Sequence, residues 1–267
     1  MNNLEKLIEI HFEGQLKIGS SEKIERENYD VQYSKIIADW YWNYAFLKSP
    51  EVDLKALWEE IKSDMQKLER QPVLYLMSNQ DNSKIEGQFG DCHLENLYTD
   101  CWMAIENLER FPAYESKLQV EISQVKEEEK AQFVQAVMEG FSSDDPEDPY
   151  GTLPEEYRKI YDLKFEDGEF HKLEYCAKYK GEMVGTANLW YKGTYAIIYS
   201  VSTKKEFQKQ GICKKMMSNI IKDLRKLGID TVCVQTEKGF YTEKIYQNMG
   251  FEEVMLRKSV WREGKSC

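Results

Sequence analysis

Hydrophobic and polar positions follow regular periods through the second half of the chain. Residues 172–179 and 183–191 alternate like half-buried strands and flank the turn Lys180-Gly181-Glu182, which predicts a β-hairpin. Residues 196–202 form an apolar run that predicts a buried strand. The same reasoning predicts strands at 118–122, 231–236 and 251–260, and helices at 127–142, 154–163, 211–227 and 240–249, the last two each followed by glycine.

The first 117 residues mix helical and strand-like segments without a catalytic spacing. Residues 51–70 place their apolar side chains mostly at helical intervals, which predicts an amphipathic helix. Residues 72–77 and 98–107 have the patterns of buried strands. The tract 111–116 is the expected boundary, so we expect an N-terminal α/β domain at 1–117 and a second domain at 118–267.

Composition narrows the class of protein. The chain has 267 residues, 42% of them hydrophobic, and a net charge of −11, which disfavours a binder of nucleic acid. No apolar run approaches bilayer length and no secretory signal begins the chain, so neither a membrane nor export is expected. The six cysteines are widely spaced and only three histidines occur, so we expect no metal site and a cytoplasmic protein with reduced thiols.

Charge is unevenly distributed along the chain. Residues 1–117 hold 13 Lys and Arg against 22 Asp and Glu, whereas residues 118–267 hold 23 against 25. Residues 200–226 alone carry eight basic and two acidic side chains. This basic segment contains the start of a predicted helix at Gly211, where free N–H groups and the helix dipole favour an anion. A solvated basic helix face is the simpler alternative.

Two motifs in this context resemble those of a known family. Gln208-x-x-Gly211-x-Cys213 follows a strand and opens a helix, and Tyr246-x-x-x-Gly250-Phe251 follows the next strand. Together they resemble the GNAT superfamily of N-acetyltransferases over about residues 118–262. The resemblance implies an α/β (α+β) fold with a mixed, mostly antiparallel sheet flanked by helices. Residues 1–117 are then either a degenerate GNAT-like half without a cofactor site or a separate α/β cap.

The resemblance implies a site for acetyl-CoA as co-substrate. The main chain at Val201 and Thr203, on a strand splayed from its neighbour, should pair with pantetheine, and a lysine such as Lys214 should reach the outer phosphates. Tyr246 stands where the family often has the acid that protonates the thiolate, with a core tyrosine as the alternative. The pyrophosphate should be held by the N–H groups of Gln208, Lys209, Gln210, Gly211, Ile212 and Cys213.

This sequence departs from the family pattern at several positions. Cys213 replaces a frequent Gly or Ala, and Gly239 replaces a frequent Asn that contacts CoA. No carboxylate occurs in residues 195–199, where some members place a base, so ordered water or Glu237 would take the proton from the amine. A solvated glutamate is the simpler interpretation of Glu237.

The expected function is transfer of an acetyl group to a primary amine by direct attack in a ternary complex. The acidic loop that contains Asp144 and Asp145 suggests a cationic acceptor, a small molecule or a peptide, although a solvated loop is the simpler explanation. The alternatives are a CoA-binding sensor or pseudoenzyme and an adaptor without cofactor. Either a monomer or a homodimer is expected.

Overall fold

The computed structural model describes residues 2–142, 151–162 and 168–261. These residues form two compact units, and neither is a single stretch of chain. The C-terminal unit contains residues 1–14, 103–235 and 244–252, and the N-terminal unit contains residues 15–102, 236–243 and 253–267. The boundary expected between residues 117 and 118 stays a prediction.

Helices and strands alternate through both units. The α-helices are α1 (Asn3–Ile18), α2 (Leu54–Lys67), α3 (Ser83–Glu86), α4 (Phe89–Cys92), α5 (Lys130–Gly140), α6 (Tyr157–Asp162), α7 (Ile212–Lys226) and α8 (Tyr241–Gln247). The strands are β1 (Ser21–Glu25), β2 (Tyr29–Ser34), β3 (Tyr44–Leu47), β4 (Leu74–Met77), β5 (Glu95–Glu106), β6 (Glu121–Gln124), β7 (Phe170–Tyr179), β8 (Glu182–Lys192), β9 (Tyr195–Thr203), β10 (Thr231–Glu237) and β11 (Glu252–Trp261). Within the described ranges, no helix is long and apolar enough to span a bilayer.

The C-terminal unit is built on the strand order β10-β9-β8-β7-β6. Its neighbouring strands are antiparallel except for β9 and β10, which run parallel. Glu174 and Tyr175 are consecutive on β7 and therefore point to opposite faces. Glu174 pairs with Lys130 of α5, while the Tyr175 hydroxyl lies 3.3 Å from Asp223 of α7. Helices α5 and α7 thus cover opposite faces of this sheet.

The N-terminal unit has the strand order β1-β2-β3-β4-β11-β5. The apolar face of α2, which includes Trp58 and Ile61, packs in its core with Tyr29 and Leu74. β11 comes from the far end of the sequence and pairs antiparallel with β4, with Arg257 opposite Met77. This unit therefore depends on a strand that is distant in sequence.

A buried ion pair lies inside the N-terminal unit. Arg257 and Asp100 are 0% and 2% exposed, and the Arg257 guanidinium forms an ion pair with the Asp100 carboxylate. The Arg257 guanidinium carbon lies 4.4 Å from the ring centre of Tyr75, which stacks on Tyr44. Burial raises the pKa of Asp100, and the guanidinium opposes that rise.

The same order of elements occurs twice along the chain. In each unit three strands are followed by a helix and a strand parallel to the third, as β3–α2–β4 and β9–α7–β10. Short helices (α3 and α4 in the first series, α8 in the second) and a long last strand, β5 or β11, complete each series. The mixed, mostly antiparallel sheet flanked by helices confirms the fold class expected from the sequence.

Candidate functional site

Strands β9 and β10 separate part of the way along their length. Their pairing ends at Ile198 and Val234, whereas β9 continues to Thr203 and β10 to Glu237. The register between β8 and β9 also shifts near Ser200, which has a φ of +50°, as in a β-bulge. The predicted pantetheine contacts Val201 and Thr203 both lie in this diverging part of β9. Opening a parallel pair in this way exposes main-chain groups to a ligand.

The loop between β9 and α7 presents consecutive N–H groups. Lys209 and Gly211 have φ values of +60° and +83°, and Gly211 is the N-cap residue of α7 without a side-chain cap. Among the described residues, no hydrogen-bond acceptor is recorded for the backbone N–H groups from Lys209 to Lys214. The N–H of Gln208 instead donates to Lys205 at 3.3 Å. Five of the six predicted pyrophosphate donors are therefore free to bind an anion.

The corresponding helix start in the N-terminal unit is already satisfied. The Asp53 carboxylate accepts hydrogen bonds from the N–H groups of Lys55 and Ala56 at 3.0 and 3.3 Å. The Gln88 side chain accepts from the N–H of Leu54 at 2.8 Å. A carboxylate that caps a helix occupies the position of an external anion, so α2 does not offer the site that α7 offers.

The segment before β6 packs against the loop. The N–H of Lys117 and the hydroxyl of Ser116 donate to the Gln210 carbonyl at 2.8 and 2.9 Å. A Cβ added to Gly211 would lie 3.0 Å from the Glu115 carbonyl oxygen. Gly211 is therefore required both by its left-handed backbone and by close packing.

The basic segment is only partly neutralised by acidic neighbours. Lys204 pairs with Glu139 and Glu182, and Lys215 pairs with Glu115. Lys226 pairs with Asp223, and Arg225 donates to main-chain carbonyls. In the described part of the chain, no ion pair is recorded for the other four basic side chains: Lys205, Lys209, Lys214 and Lys222. Three of these four lie in or beside the loop, where positive charge favours an anionic ligand.

The side chain of Cys213 is partly buried at the first turn of α7. Burial raises the pKa of its thiol to about 11, so it is neutral at physiological pH. A neutral thiol does not repel a phosphate as a thiolate would. Cys213 therefore fits a position where the related pattern often has Gly or Ala.

Tyr246 lies on α8 and is 6% exposed. Its ring centre is 5.8 Å from that of Phe251, with the edge of one ring toward the face of the other. This packing fits the core tyrosine of the alternative interpretation, and the role of general acid stays a prediction. Glu237, the last residue of β10, is partly buried, and its role as base also stays a prediction.

The segment after β10 contains a dense ionic network rather than a simple acidic cluster. Cys101, Glu243 and Glu253 approach one another closely enough to share a metal ion. The Lys238 ammonium, however, already lies 2.7 Å from Glu243 and 2.6 Å from Glu253. Burial raises the pKa of the Cys101 thiol to about 12, which disfavours the thiolate that a metal needs. These residues form a cluster neutralised by lysine, and the expected absence of a metal stays a prediction.

Three more residues concern this site: two that the sequence predicts and one that it does not. Asp144 and Asp145, the predicted acceptor contacts, lie outside the described residues. His11, to which the sequence assigns no role, is fully buried, and its Nδ1 lies 2.8 Å from the Tyr199 hydroxyl. A single histidine on a helix 188 residues before its tyrosine partner gives no local pattern that would reveal this contact.

The fold and the loop agree with comparisons to known proteins. Residues 131–251, somewhat less than half of the chain, match the sequence model of the Acetyltransferase (GNAT) family. The family supports acetyl transfer in general and implies acetyl-CoA as the co-substrate. A curated relative is the [ribosomal protein bS18]-alanine N-acetyltransferase of Haemophilus ducreyi, 27% identical over 67 residues. The match covers 25% of this chain and 46% of that relative, so it spans about half the relative's length.

Solved structures share the fold over nearly the whole chain. A GCN5-related N-acetyltransferase from Kribbella flavida aligns with a TM-score of 0.71 at 13% identity and covers 99% of this chain and 97% of its own. A GCN5-related N-acetyltransferase from Sphaerobacter thermophilus aligns with a TM-score of 0.63 at 14% identity and covers 90% of this chain and 82% of its own. A tandem GNAT protein from the clavulanic acid biosynthesis pathway aligns with a TM-score of 0.57 at 10% identity and covers 90% of this chain and 79% of its own. These likenesses concern the fold alone.

Proposed function

We propose that this chain is an acetyl-CoA-dependent N-acetyltransferase that acts on a primary amine by direct attack in a ternary complex. The observation that carries the proposal is the row of free N–H groups around Gly211 at the start of α7. Such a row, next to a helix dipole and to lysines for which no ion pair is recorded in the described chain, fits a diphosphate. The N–H groups from Lys209 to Cys213 would hold the pyrophosphate of acetyl-CoA, with Lys214 near its outer phosphates. The proposed contribution of Gln208 requires its weak bond to Lys205 to open.

The diverging edge of β9 supports the second part of the site. Val201 and Thr203 would offer main-chain groups to the pantetheine amides, which places the thioester near the point where β9 and β10 separate. The amine nitrogen then attacks the thioester carbon, and the C–S bond breaks with its electron pair on sulfur. Holding both substrates in reach supplies much of the rate enhancement. A proton from Tyr246 to the leaving sulfur would complete the step.

Ligand binding and thiol release test this proposal in sequence. Coenzyme A at a hundredfold excess over its Kd should stabilise the folded chain by about 2.7 kcal/mol, which appears as a higher Tm. Acetyl-CoA with a panel of amines should then release free thiol, measured with a thiol-reactive dye. A chain whose Tm is indifferent to CoA would be an adaptor of this fold rather than a transferase.

We propose that the acceptor is a cationic amine. The relative from Haemophilus ducreyi is named for an alanine of a ribosomal protein, so the panel should include a peptide with N-terminal alanine. The acidic residues 144–148 favour polyamines, aminoglycosides and lysine-like amines. We expect cationic amines to react faster than neutral ones. Acetylation of neutral amines alone would contradict a cationic acceptor while keeping the transferase.

A CoA-binding sensor or pseudoenzyme is the second candidate function. Residues 195–199 of β9 contain no carboxylate, and Tyr246 is almost fully buried. A chain with this loop but without proton-transfer groups would bind CoA and leave amines unmodified. A CoA-dependent rise in Tm without thiol release across the whole amine panel would favour this candidate.

Replacing Tyr246 by phenylalanine separates its two interpretations. As a general acid, Tyr246 is expected to contribute about 10²-fold or more to kcat, because the thiolate would leave without a proton in Tyr246→Phe. The Kd for CoA should stay the same. The measurement is steady-state thiol release together with calorimetric titration of CoA. An unchanged kcat would assign Tyr246 to the core, where it packs on Phe251.

The N-terminal unit fits a GNAT-like repeat that has lost its cofactor site. It repeats the β–α–β order of the C-terminal unit, and Asp53 caps the helix that would otherwise bind phosphate. We propose that this repeat lies within residues 1–117 and that the second repeat starts near residue 118. Cytoplasmic location and a monomeric or homodimeric state complete the proposal, and light scattering would determine the latter.

A further inference from the structure

Two residues at the point where β9 and β10 separate contact the same buried side chain. Tyr199 and Gln235 are the first residues after the last paired positions of the two strands. The Tyr199 hydroxyl lies 2.8 Å from Nδ1 of His11, and the Gln235 amide nitrogen lies 3.3 Å from the same atom. His11 is 0% exposed and belongs to α1, outside the part that matches the family. A titratable group is thus fixed where the two strands diverge.

Helix α1 is anchored so that His11 has a defined position. A Cβ on Gly14 would lie 2.3 Å from the Trp190 ring, so only glycine allows the helix to approach β8 this closely. The Trp190 ring centre lies 4.1 Å from that of Tyr199. Glu13 binds Lys192 of β8 at 2.8 Å, which holds the same part of the helix. Because Gly14 follows His11 by three residues, both lie on the face that meets the sheet.

The hydrogen bonds define which nitrogen of His11 can accept a proton. The Gln235 amide nitrogen can only donate, so the Nδ1 atom that it faces acts as an acceptor. The Tyr199 hydroxyl donates to the same atom over the shorter distance. With this assignment the imidazole carries its own proton on Nε2. A tyrosine hydroxyl that donates one hydrogen bond can also accept one.

We propose that Tyr199 receives the proton of the acceptor amine and that His11 acts behind it as the positioning residue that takes the hydroxyl proton. This inference rests on the proposed transferase function. It supplies the base for which residues 195–199 provide no carboxylate. Tyr199 is partly exposed, whereas His11 is buried, so only the tyrosine can meet a substrate.

The proton and electron movements balance in this scheme. The amine nitrogen forms a bond to the thioester carbon, and the carbonyl π electrons move to oxygen. An N–H bond then breaks as Tyr199 Oη gains that proton, while the proton of the Tyr199 hydroxyl passes to Nδ1 of His11. The carbonyl re-forms and the C–S bond breaks with its electron pair on sulfur, which takes the hydroxyl proton of Tyr246, and water then returns a proton to Tyr246. The imidazolium later returns its proton to water through Tyr199.

The test compares hydroxyl groups on one strand. Tyr199→Phe and His11→Gln should each lower kcat about 10²-fold with the amine that wild type acetylates fastest. The KM for acetyl-CoA and the rise in Tm with CoA should not change. The double variant should be no slower than the slower single variant, because both residues serve one proton transfer. Tyr195→Phe is the matched control, because the Tyr195 hydroxyl also donates a hydrogen bond to α1, to Oδ1 of Asn3 at 3.0 Å. This variant should keep the wild-type kcat.

Each outcome decides between the two proposals. The proposed roles of His11 and Tyr199 would be overturned if Tyr199→Phe kept the wild-type kcat. They would also be overturned if the loss of kcat in the double variant equalled the product of the two single losses. Either result would leave the proposed transferase function intact. Wild type that binds CoA but releases no thiol with any amine would overturn the transferase as well. If His11→Gln does not fold, Tyr199→Phe alone decides, because it removes one hydroxyl and retains the ring.

Discussion

Replacing Gly211 by alanine is expected to lower the affinity for CoA by at least about tenfold, a loss of about 1.4 kcal/mol in binding free energy. The residue has a φ of +83°, which costs an L-amino acid with a side chain about 1–2 kcal/mol. Its Cβ would also press on the Glu115 carbonyl at 3.0 Å and move the N–H groups that surround the anion site. Calorimetric titration with CoA measures the effect.

Gly181→Ala is the matched control for that variant. Gly181 has a φ of +86° in the hairpin between β7 and β8, and a Cβ there would meet nothing within 4 Å. Both variants should therefore lose similar conformational stability in urea, apart from the additional crowding at Gly211. Only Gly211→Ala should lose affinity for CoA. Equal affinity in both variants would place the diphosphate elsewhere.

Replacing Arg257 by methionine is expected to destabilise the fold by about 3–5 kcal/mol, because it leaves the Asp100 carboxylate buried without its partner. Both residues are at most 2% exposed, so water cannot replace the guanidinium. The variant also loses the contact between the guanidinium and the Tyr75 ring. Urea unfolding of wild type and variant gives the difference in free energy.

A second variant separates the buried charge from lost packing. Asp100→Asn together with Arg257→Met removes both charges and should recover a large part of the stability lost by Arg257→Met alone. The double variant has similar side-chain volume at both positions. If it is as unstable as the single variant, packing rather than charge accounts for the loss.

Local patterns predicted most of the C-terminal unit. The hairpin around Gly181, the apolar strand at 196–202 and the helix after Gly211 all depend on residues close in sequence. The phosphate-binding loop could be found for the same reason, since one turn of chain supplies both its glycine and its N–H groups. Such features are encoded by spacing, which a single sequence displays.

Features that depend on distant residues could not be predicted in this way. The pairing of β11 with β4 joins Arg257 to Met77, and neither segment indicates its partner. The contact between His11 and Tyr199 likewise crosses 188 residues. The pairing of β11 with β4 also explains why residues 253–267 belong to the same unit as residues 15–102. Cross-strand register is set by the assembled sheet and is not visible in the pattern of either strand alone.

The position of β11 also has a consequence for protein synthesis. The strand that pairs with β4 is translated about 180 residues after it, at the end of the described chain. Until then the nascent polypeptide has an open edge at β4, with unpaired main-chain groups that can associate with other chains. We expect nascent chains stalled before residue 252 to bind chaperones and to be cleaved by protease within residues 15–102. Synthesis of a chain that extends through β11 should protect this region, as pulse proteolysis on ribosomes would show.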